Sequence, residues 1–396
     1  MGRIGLYGGT FNPPHIGHMA AAAQAISALS LDRLVLMPTR ISPHKILPEG
    51  SASAQQRLQM LTIATAGMQG AQVSDLELKR EGVSYTWQTI LALKQQYPED
   101  ELILLMGTDM FLSFHTWKNP DVILEHASLG VFYRGERGER DAIAERKAQM
   151  EAAGSRVYLV DNPVVDISST ELRRLIIFRC ADAFLPAGVG DYIRENGLFA
   201  CNADLRQLPP EQLEQRVTAL LKPDRVAHVL GCRDTAVELA KRWGADQTDA
   251  ARAGLLHDIT KALSPRQQLT LCRDYGILLD DFSRENPKTL HALTGSLVAE
   301  RIFGENDAVV QAIRWHTTGK ADMTTLEKII YVADYMEPNR NFPGVERLRQ
   351  LAFSDLDGAL QLGLTMTTEL LQQRGQTVSP GSLEALAWLR RTPDKI

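Results

Sequence analysis

No stretch of the 396-residue chain approaches the run of about 20 apolar residues that a membrane-spanning helix needs. That lack argues against an integral membrane protein. Cysteine is scarce: Cys180, Cys201, Cys232 and Cys272 lie far apart and form no C-x-x-C pair. This excludes a disulfide framework and points to reduced thiols in a cytoplasmic protein. Neither charge sign dominates, with 43 Lys and Arg against 48 Asp and Glu for a net charge of −5. A nucleic-acid or anionic-membrane surface is therefore not expected, and any phosphate-bearing substrate must be held by a local cluster of cations and backbone amides. Internal repeats and low-complexity tracts are missing, and Met1-Gly2-Arg3-Ile4-Gly5-Leu6 runs into structured sequence without the character of a signal peptide.

What is present reads as two domains, which the length alone favours because a single core rarely serves so long a chain. In the first half, apolar strand-like runs at 3–7, 34–37, 73–76, 102–106, 128–133 and 156–160 alternate with helical segments at 17–29, 53–68 and 85–96. Continuous apolar strands between amphipathic helices predict an α/β domain with a parallel sheet covered on both faces. Ligands then bind beyond the carboxyl ends of the strands. The charged segment 136–154 reads as a solvated surface helix with its loop. From Pro209-Pro210 onward the 3.6-residue period takes over and strand-like alternation disappears, so the second half is expected to be all-α. The boundary falls near 200–210, giving domains 1–200 and 201–396.

The sharpest local signal is Gly8-Gly9-Thr10-Phe11-Asn12-Pro13-Pro14-His15-Ile16-Gly17-His18. A buried strand ends in two glycines, which let backbone amides approach a polyphosphate, and a helix start follows with its dipole favouring anions. His15 and His18, three apart, lie on one helical face. Far downstream, Ile167-Ser168-Ser169-Thr170-Glu171-Leu172-Arg173 offers a second helix start, with Ser169 or Thr170 as N-cap and Arg173 a turn later within reach of phosphate. Together these segments resemble the H-x-G-H and second signatures of the nucleotidylyltransferase superfamily, with its Rossmann-like fold. Ser42-Pro43-His44-Lys45, Glu81-Gly82-Val83-Ser84-Tyr85-Thr86, Gly107-Thr108-Asp109 and Trp117 narrow the likeness to the bacterial nicotinate-mononucleotide adenylyltransferases over residues 1–200.

That resemblance implies ATP, accompanied by Mg2+, and nicotinate mononucleotide as substrates. It assigns catalysis to His15, His18, Lys45 and Arg173. Binding falls to Gly8, Gly9, Thr10, Phe11, His44, Lys45, Tyr85, Thr86, Gly107, Asp109, Trp117, Ser169 and Thr170. Trp117 would stack on the pyridine ring, and the Tyr85–Thr86 amides would face the nicotinate carboxylate. A pantetheine-phosphate or cytidylyl transferase is the rival, and the Pro43-His44-Lys45 and Trp117 combination argues against both. Asn12 departs from the Asp of many relatives, which bears on phosphate or metal contacts. The packing of 174–180 stays open. The chemistry suits these residue types: the acceptor phosphate is already ionised, so the demand is in-line positioning and charge neutralisation rather than a strong base.

The second half carries His228, His257-Asp258, His291, His316 and Asp334. The His257-Asp258 pair interrupts the small, apolar run Ala250-Ala251-Arg252-Ala253-Gly254-Leu255-Leu256, so its carboxylate is expected to be buried and coordinated or paired. The order H…HD…H…H…D resembles the two-metal HD-domain phosphohydrolases. That likeness implies His228, His257, Asp258 and Asp334 as core metal ligands, His291 and His316 as further ligands, and Asp258 as the bridge. Imidazole and carboxylate donors suit two divalent transition metals, iron first and manganese or zinc as alternatives. His257-Asp258-Ile259-Thr260-Lys261, His316-Thr317-Thr318-Gly319 and Ala333-Asp334-Tyr335-Met336-Glu337-Pro338 resemble the symmetrical diadenosine-tetraphosphate hydrolases over about 215–385. Lys261 and Arg340 would then meet substrate phosphate. The competing expectation is a nucleotide-sensing module without turnover, or another nucleotide as substrate.

Overall fold

The computed structural model describes residues 2–43, 46–133, 137–162, 165, 167 and 168–391, and the chain divides into two compact units, Met1–Ala203 and Asp204–Ile396. In the first unit six strands run in chain order: β1 (Arg3–Gly9), β2 (Arg33–Pro38), β3 (Ala71–Val73), β4 (Glu101–Gly107), β5 (Ser128–Tyr133) and β6 (Val157–Asp161). They form one parallel sheet in the order β3-β2-β1-β4-β5-β6. The order reverses between β1 and β4, which leaves a crevice beyond their carboxyl ends, the usual ligand position in such sheets. The helices are α1 (Ile16–Ala28), α2 (Ala54–Ala64), α3 (Thr86–Gln96), α4 (Thr108–Leu112), α5 (Pro120–His126), α6 (Arg137–Ala152), α7 (Ser169–Ile177) and α8 (Val189–Glu195).

Strand alternation builds two cores. Leu102, Leu104 and Met106 of β4 face Ile90 and Leu93 of α3 and Ile123 of α5, whereas Ile103 and Leu105 face Ala21, Ala22 and Ala25 of α1 and Leu61 of α2. The sequence reading needs adjustment at several ends. Gly8 and Gly9 remain inside β1, paired to Met37 and Pro38, rather than ending it. Helix α2 stops at Ala64, because the following turn passes through Gly67 and Gly70 at positive φ, and β3 therefore begins at Ala71, leaving Leu76 in a turn. Helix α6 is more than a solvated surface element: Ile143 and Met150 are buried in the α3 face of the core. The 174–180 stretch completes α7 and packs inward, with Leu175, Phe178 and Cys180 buried.

The second unit is all-helical among its described residues: α9 (Pro210–Leu220), α10 (Pro223–Trp243), α11 (Gln247–Leu256), α12 (Pro265–Asp274), α13 (Asp281–Glu285), α14 (Leu290–Arg301), α15 (Asp307–Trp315), α16 (Thr325–Met336), α17 (Val345–Ala352), α18 (Leu356–Gln373) and α19 (Pro380–Arg391). Helices α10 and α11 approach closely at Gly254, where an added Cβ would lie 2.7 Å from the Arg233 Cα. Behind them the buried Arg252 guanidinium donates to both oxygens of Glu305 at 2.6 Å, so this interior charge is paired in the bidentate manner. No described helix is long and apolar enough to cross a membrane.

Candidate functional sites

A cleft of about 650 Å³ opens where β1 and β4 end. It gathers Gly8, Gly9, Thr10, Phe11, His15, His18, Gly107, Asp109, Ser169, Thr170 and Arg173, so segments more than 150 residues apart in sequence share one wall. His15 caps α1 and His18 sits in its first turn, with ring centroids 3.6 Å apart. The His15 amide donates to His18 Nδ1 at 3.2 Å, which places the His18 ring proton on Nε2. Gly17 between them is needed for space: a Cβ there would lie 3.0 Å from His15 Nδ1.

The second helix start is tied to the first. Ser169 Oγ donates to the Pro13 carbonyl at 3.1 Å, and Arg173 donates to the Asn12 carbonyl at 2.9 Å and to Thr170 Oγ1 at 3.1 Å. The cap of α7 is Ser168, not Ser169 or Thr170: Ser168 Oγ accepts from the Glu171 amide and Glu171 returns the bond to the Ser168 amide. Asn12 is buried and faces the protein. Its Nδ2 donates to Ser51 Oγ at 2.9 Å and its Oδ1 accepts from the Ala52 amide at 3.2 Å. Ser51 Oγ already donates to the Pro48 carbonyl, so an Asp at position 12 would oppose two acceptors. Its departure from the family pattern thus serves the 48–52 segment, and Leu47 and Pro48 of the same stretch line the cleft. Arg57, which the sequence did not single out, lies fully buried behind the cradle and donates to the Thr10 carbonyl at 2.7 Å.

A second hollow of about 360 Å³ is lined by Pro43, Tyr85, Thr86, Thr116, Trp117 and Lys118. Tyr85 caps α3, so the first amides of that helix face the same region. Lys118, also missed, places its ammonium 4.6 Å from the Tyr85 ring centroid and gives the hollow a cation. His44 and Lys45 lie outside the described residues.

In the second unit the six predicted ligands converge, brought in by α10, the end of α11, α14, the end of α15 and α16. His257 and Asp258 close α11 rather than interrupting it, so the pair leaves the helix at the cluster. His257, Asp258, His291 and His316 are nearly inaccessible, at 0%, 1%, 2% and 2% exposure. Every imidazole is anchored through Nδ1: His257 to the Gly254 carbonyl at 2.8 Å, His291 to Lys288 at 2.8 Å, His316 to Ile313 at 2.7 Å, and His228 to the Glu337 carboxylate at 3.1 Å. Those acceptors hold the proton on Nδ1 and turn each Nε2 lone pair inward, the arrangement of a metal-ligating histidine with its outer partner. Glu337 escaped sequence reading because its partner is 109 residues away.

The inward atoms are all acceptors. His228 Nε2 is 3.3 Å from His257 Nε2 and 3.1 Å from Asp334 Oδ1. Asp258 turns Oδ2 toward His228 and His257, at 3.7 and 3.6 Å, and Oδ1 toward His291 and His316, at 3.5 and 3.8 Å. Lone pairs facing each other at these distances call for cations between them. His228, His257 and Asp334 form one potential metal-binding group, and His257, Asp258 and His316 another, so the donor set fits the metals expected. Burial first, then Lys261 and His316, pushes His291 down to about 3. Burial and then His257 push His316 down to about 4, so both rings are neutral at neutral pH. Burial works against ionising Asp258, but the imidazoles, headed by His257, and Lys261 outweigh it and hold the carboxyl below its ordinary range.

Cations ring the cluster. Lys261 Nζ lies 2.9 Å from His291 Nε2, and Arg340 donates to Asp334 Oδ1 at 2.6 Å. Arg225 in the first turn of α10 pairs with Asp258 Oδ2, a contact with no sequence signature. Thr317 Oγ1 sits 3.2 Å from Nε2 of both His291 and His316.

A cleft at the turning point of a parallel sheet and a six-residue His/Asp cluster able to hold metal in a helical unit define the class of protein. Residues 6–175 match the cytidylyltransferase-like family and residues 225–339 match the HD domain. A probable nicotinate-nucleotide adenylyltransferase of Aeromonas salmonicida is 37% identical over 208 residues, covering 50% of this chain and 96% of the relative. A symmetrical bis(5'-nucleosyl)-tetraphosphatase of Halalkalibacterium halodurans is 41% identical over 170 residues, covering 43% of this chain and 90% of the relative. The corresponding tetraphosphatase of Bacillus subtilis is 40% identical over 174 residues, covering 43% and 91%. The chain therefore belongs to the nicotinate-nucleotide adenylyltransferase family of cytidylyltransferase-like proteins, and it carries a C-terminal HD domain related to the symmetrical tetraphosphatases.

Proposed function

We propose that the first unit transfers AMP from ATP to nicotinate mononucleotide, giving nicotinate adenine dinucleotide and pyrophosphate, and that the second hydrolyses diadenosine tetraphosphate to two ADP. The pairing of the 650 Å³ cleft with the neighbouring Trp117 hollow carries the first half, because it provides one place for a triphosphate and another for a ring-bearing acceptor. In this reading ATP, with its Mg2+, lies along Gly8–Phe11, His15 and His18. An oxygen of the mononucleotide phosphate attacks the α-phosphorus in line, and pyrophosphate departs toward Arg173 and the α7 start. Lys45 joins this charge neutralisation. Trp117 takes the pyridine ring, while the α3 amides at Tyr85 and Thr86, with Lys118, favour a carboxylate over an amide.

For the second unit the supporting observation is the inward set of anchored Nε2 atoms around Asp258. Two divalent transition metals, iron first and manganese or zinc next, would be held by His228, His257 and Asp334 on one side and His291 and His316 on the other, with Asp258 facing both; bound there they supply an ionised water and polarise a phosphoryl oxygen. Lys261, Arg225 and Arg340 hold the polyphosphate and balance the charge on the departing ADP. A substrate panel on the full chain with metal analysis tests both halves. Nicotinate adenine dinucleotide from the acid mononucleotide, and ADP alone from diadenosine tetraphosphate, are expected. ATP plus AMP as products, or no hydrolysis with any divalent metal, would leave the second unit as a nucleotide-sensing module.

A further inference from the structure

We propose that the first unit also joins two molecules of ATP, releasing diadenosine tetraphosphate and pyrophosphate, and that the second unit removes this by-product of its own chain; the inference rests on both activities proposed above. The chemistry of the acceptor position carries it. What the reaction demands of an acceptor is a terminal phosphate monoester, already ionised near neutrality, on a nucleotide whose ring can lie in the hollow. ATP also ends in an ionised terminal phosphate, carried on an anhydride chain two phosphates longer, and has a larger aromatic ring. The hollow reads its occupant through an indole, hydroxyls and one ammonium, at Trp117, Thr86, Thr116 and Lys118. The stacking platform tolerates any base, since every base has a π-face, and only the α3 amides and Lys118 read the carboxylate that ATP lacks. Ile46, fully exposed, adds apolar surface to the wall of the cleft.

Discrimination by such contacts is modest. Where stacking and shape alone discriminate, the scale is that of one methylene in an apolar pocket, about 10–200-fold. ATP is the obligatory donor, so it is present at the acceptor position whenever the enzyme works, and misuse at that ratio is a standing loss. The step balances without another reactant. An oxygen of one γ-phosphate forms a bond to the α-phosphorus of the second ATP, the α–β anhydride bond breaks, and pyrophosphate leaves with the electron pair. One anhydride is lost and one is made. Water then splits the four-phosphate bridge at its centre, so that two ATP and one water yield two ADP and one pyrophosphate. A hydrolase on the same polypeptide is made in fixed ratio to the source of its substrate.

The test incubates the full chain with ATP and Mg2+ and no mononucleotide. The Asp258→Ala variant should accumulate diadenosine tetraphosphate and pyrophosphate in equal amounts, about 10–200-fold more slowly than it forms nicotinate adenine dinucleotide when the mononucleotide is supplied. Wild type should release ADP and pyrophosphate in a 2:1 ratio, with neither free phosphate nor AMP, and the His18→Ala variant should lose this while still cleaving added diadenosine tetraphosphate. The product ratio in wild type keeps the test decisive if Asp258→Ala does not fold. Efficient dinucleotide synthesis with no tetraphosphate in the variant and no ADP in wild type overturns the inference. Failure to make the dinucleotide at all, or to cleave added diadenosine tetraphosphate, refutes the underlying readings instead.

Discussion

In the proposed reaction His18 serves the chemistry and Trp117 the binding of the acceptor. His18 is oriented by the His15 amide so that its Nε2 proton faces the cleft, where charge develops as the α-phosphorus is attacked. His18→Ala is expected to lower kcat by about 100–1,000-fold while ATP affinity changes little, because a donor of this kind acts mainly on the transition state. Steady-state kinetics beside equilibrium ATP binding checks it, and equal losses in both would assign His18 a structural role. Trp117 packs against Phe114, with ring centroids 5.3 Å apart, and presents its indole to the smaller hollow. Trp117→Ala is expected to raise KM for the mononucleotide about fivefold, equivalent to about 1 kcal/mol of stacking, with KM for ATP unchanged. A shift confined to ATP contradicts the assignment.

At the scale of elements, the metal cluster depends on how closely α10 and α11 approach. Gly254 permits that contact, and its carbonyl also fixes the His257 ring. In Gly254→Ala the new methyl meets the Arg233 backbone, which cannot swing aside as a side chain would. The expected cost is about 1–3 kcal/mol from overpacking, together with loss of bound metal as His228 and His257 separate. Denaturant titration and metal content measured on the same preparation test this; unchanged stability with full metal occupancy would show that the helices can spread without consequence. Local signals set the starts of α2, α7, α12 and α16, where Ser53, Ser168, Ser264 and Thr324 cap with a Gln or Glu three positions on; of these the sequence reading opened the α2 segment at Ser53 and set the α7 cap one or two residues late. One exception is local, the turns through Gly67 and Gly70 that shortened α2; the other is tertiary, the burial of Ile143 and Met150 that drew α6 onto the sheet.

At the scale of the whole molecule, the neutral imidazoles couple stability to pH. His291 is pushed down to about 3 and His316 to about 4, whereas an unfolded histidine titrates near 6.5. Below that value the unfolded chain binds protons that the folded chain refuses, so stability falls as pH drops from about 6.5 toward 4 and levels off only when the folded sites also titrate. The slope is up to about 1.4 kcal/mol per pH unit for each ring. The metal-free chain should thus show a thermal transition that moves down steadily between pH 7 and pH 5. A transition independent of pH over that range would mean that the rings titrate in the folded chain as they do in the unfolded one.

By itself the sequence determined the alternation of strands and helices in the first half, the change to an all-helical half and the candidate residues that the fold gathers, His44 and Lys45 aside, into two hollows and one His/Asp cluster. Each of these follows from short-range pattern: apolar periodicity, glycines at a strand end, capping residues, and a His-Asp pair after a small-residue run. Only the tertiary structure decided which of those residues meet and in what state. The tautomers of four histidines depend on carbonyls presented by neighbouring turns and on Glu337. Arg225 reaches Asp258 across 33 positions, Arg173 reaches the Asn12 carbonyl across 161, and the Asn12 side-chain amide bonds Ser51. Lys118 enters the smaller hollow only because the loop after α4 returns to the start of α3. Such partners leave no periodic trace, because packing between elements, not spacing along the chain, brings them within hydrogen-bonding distance.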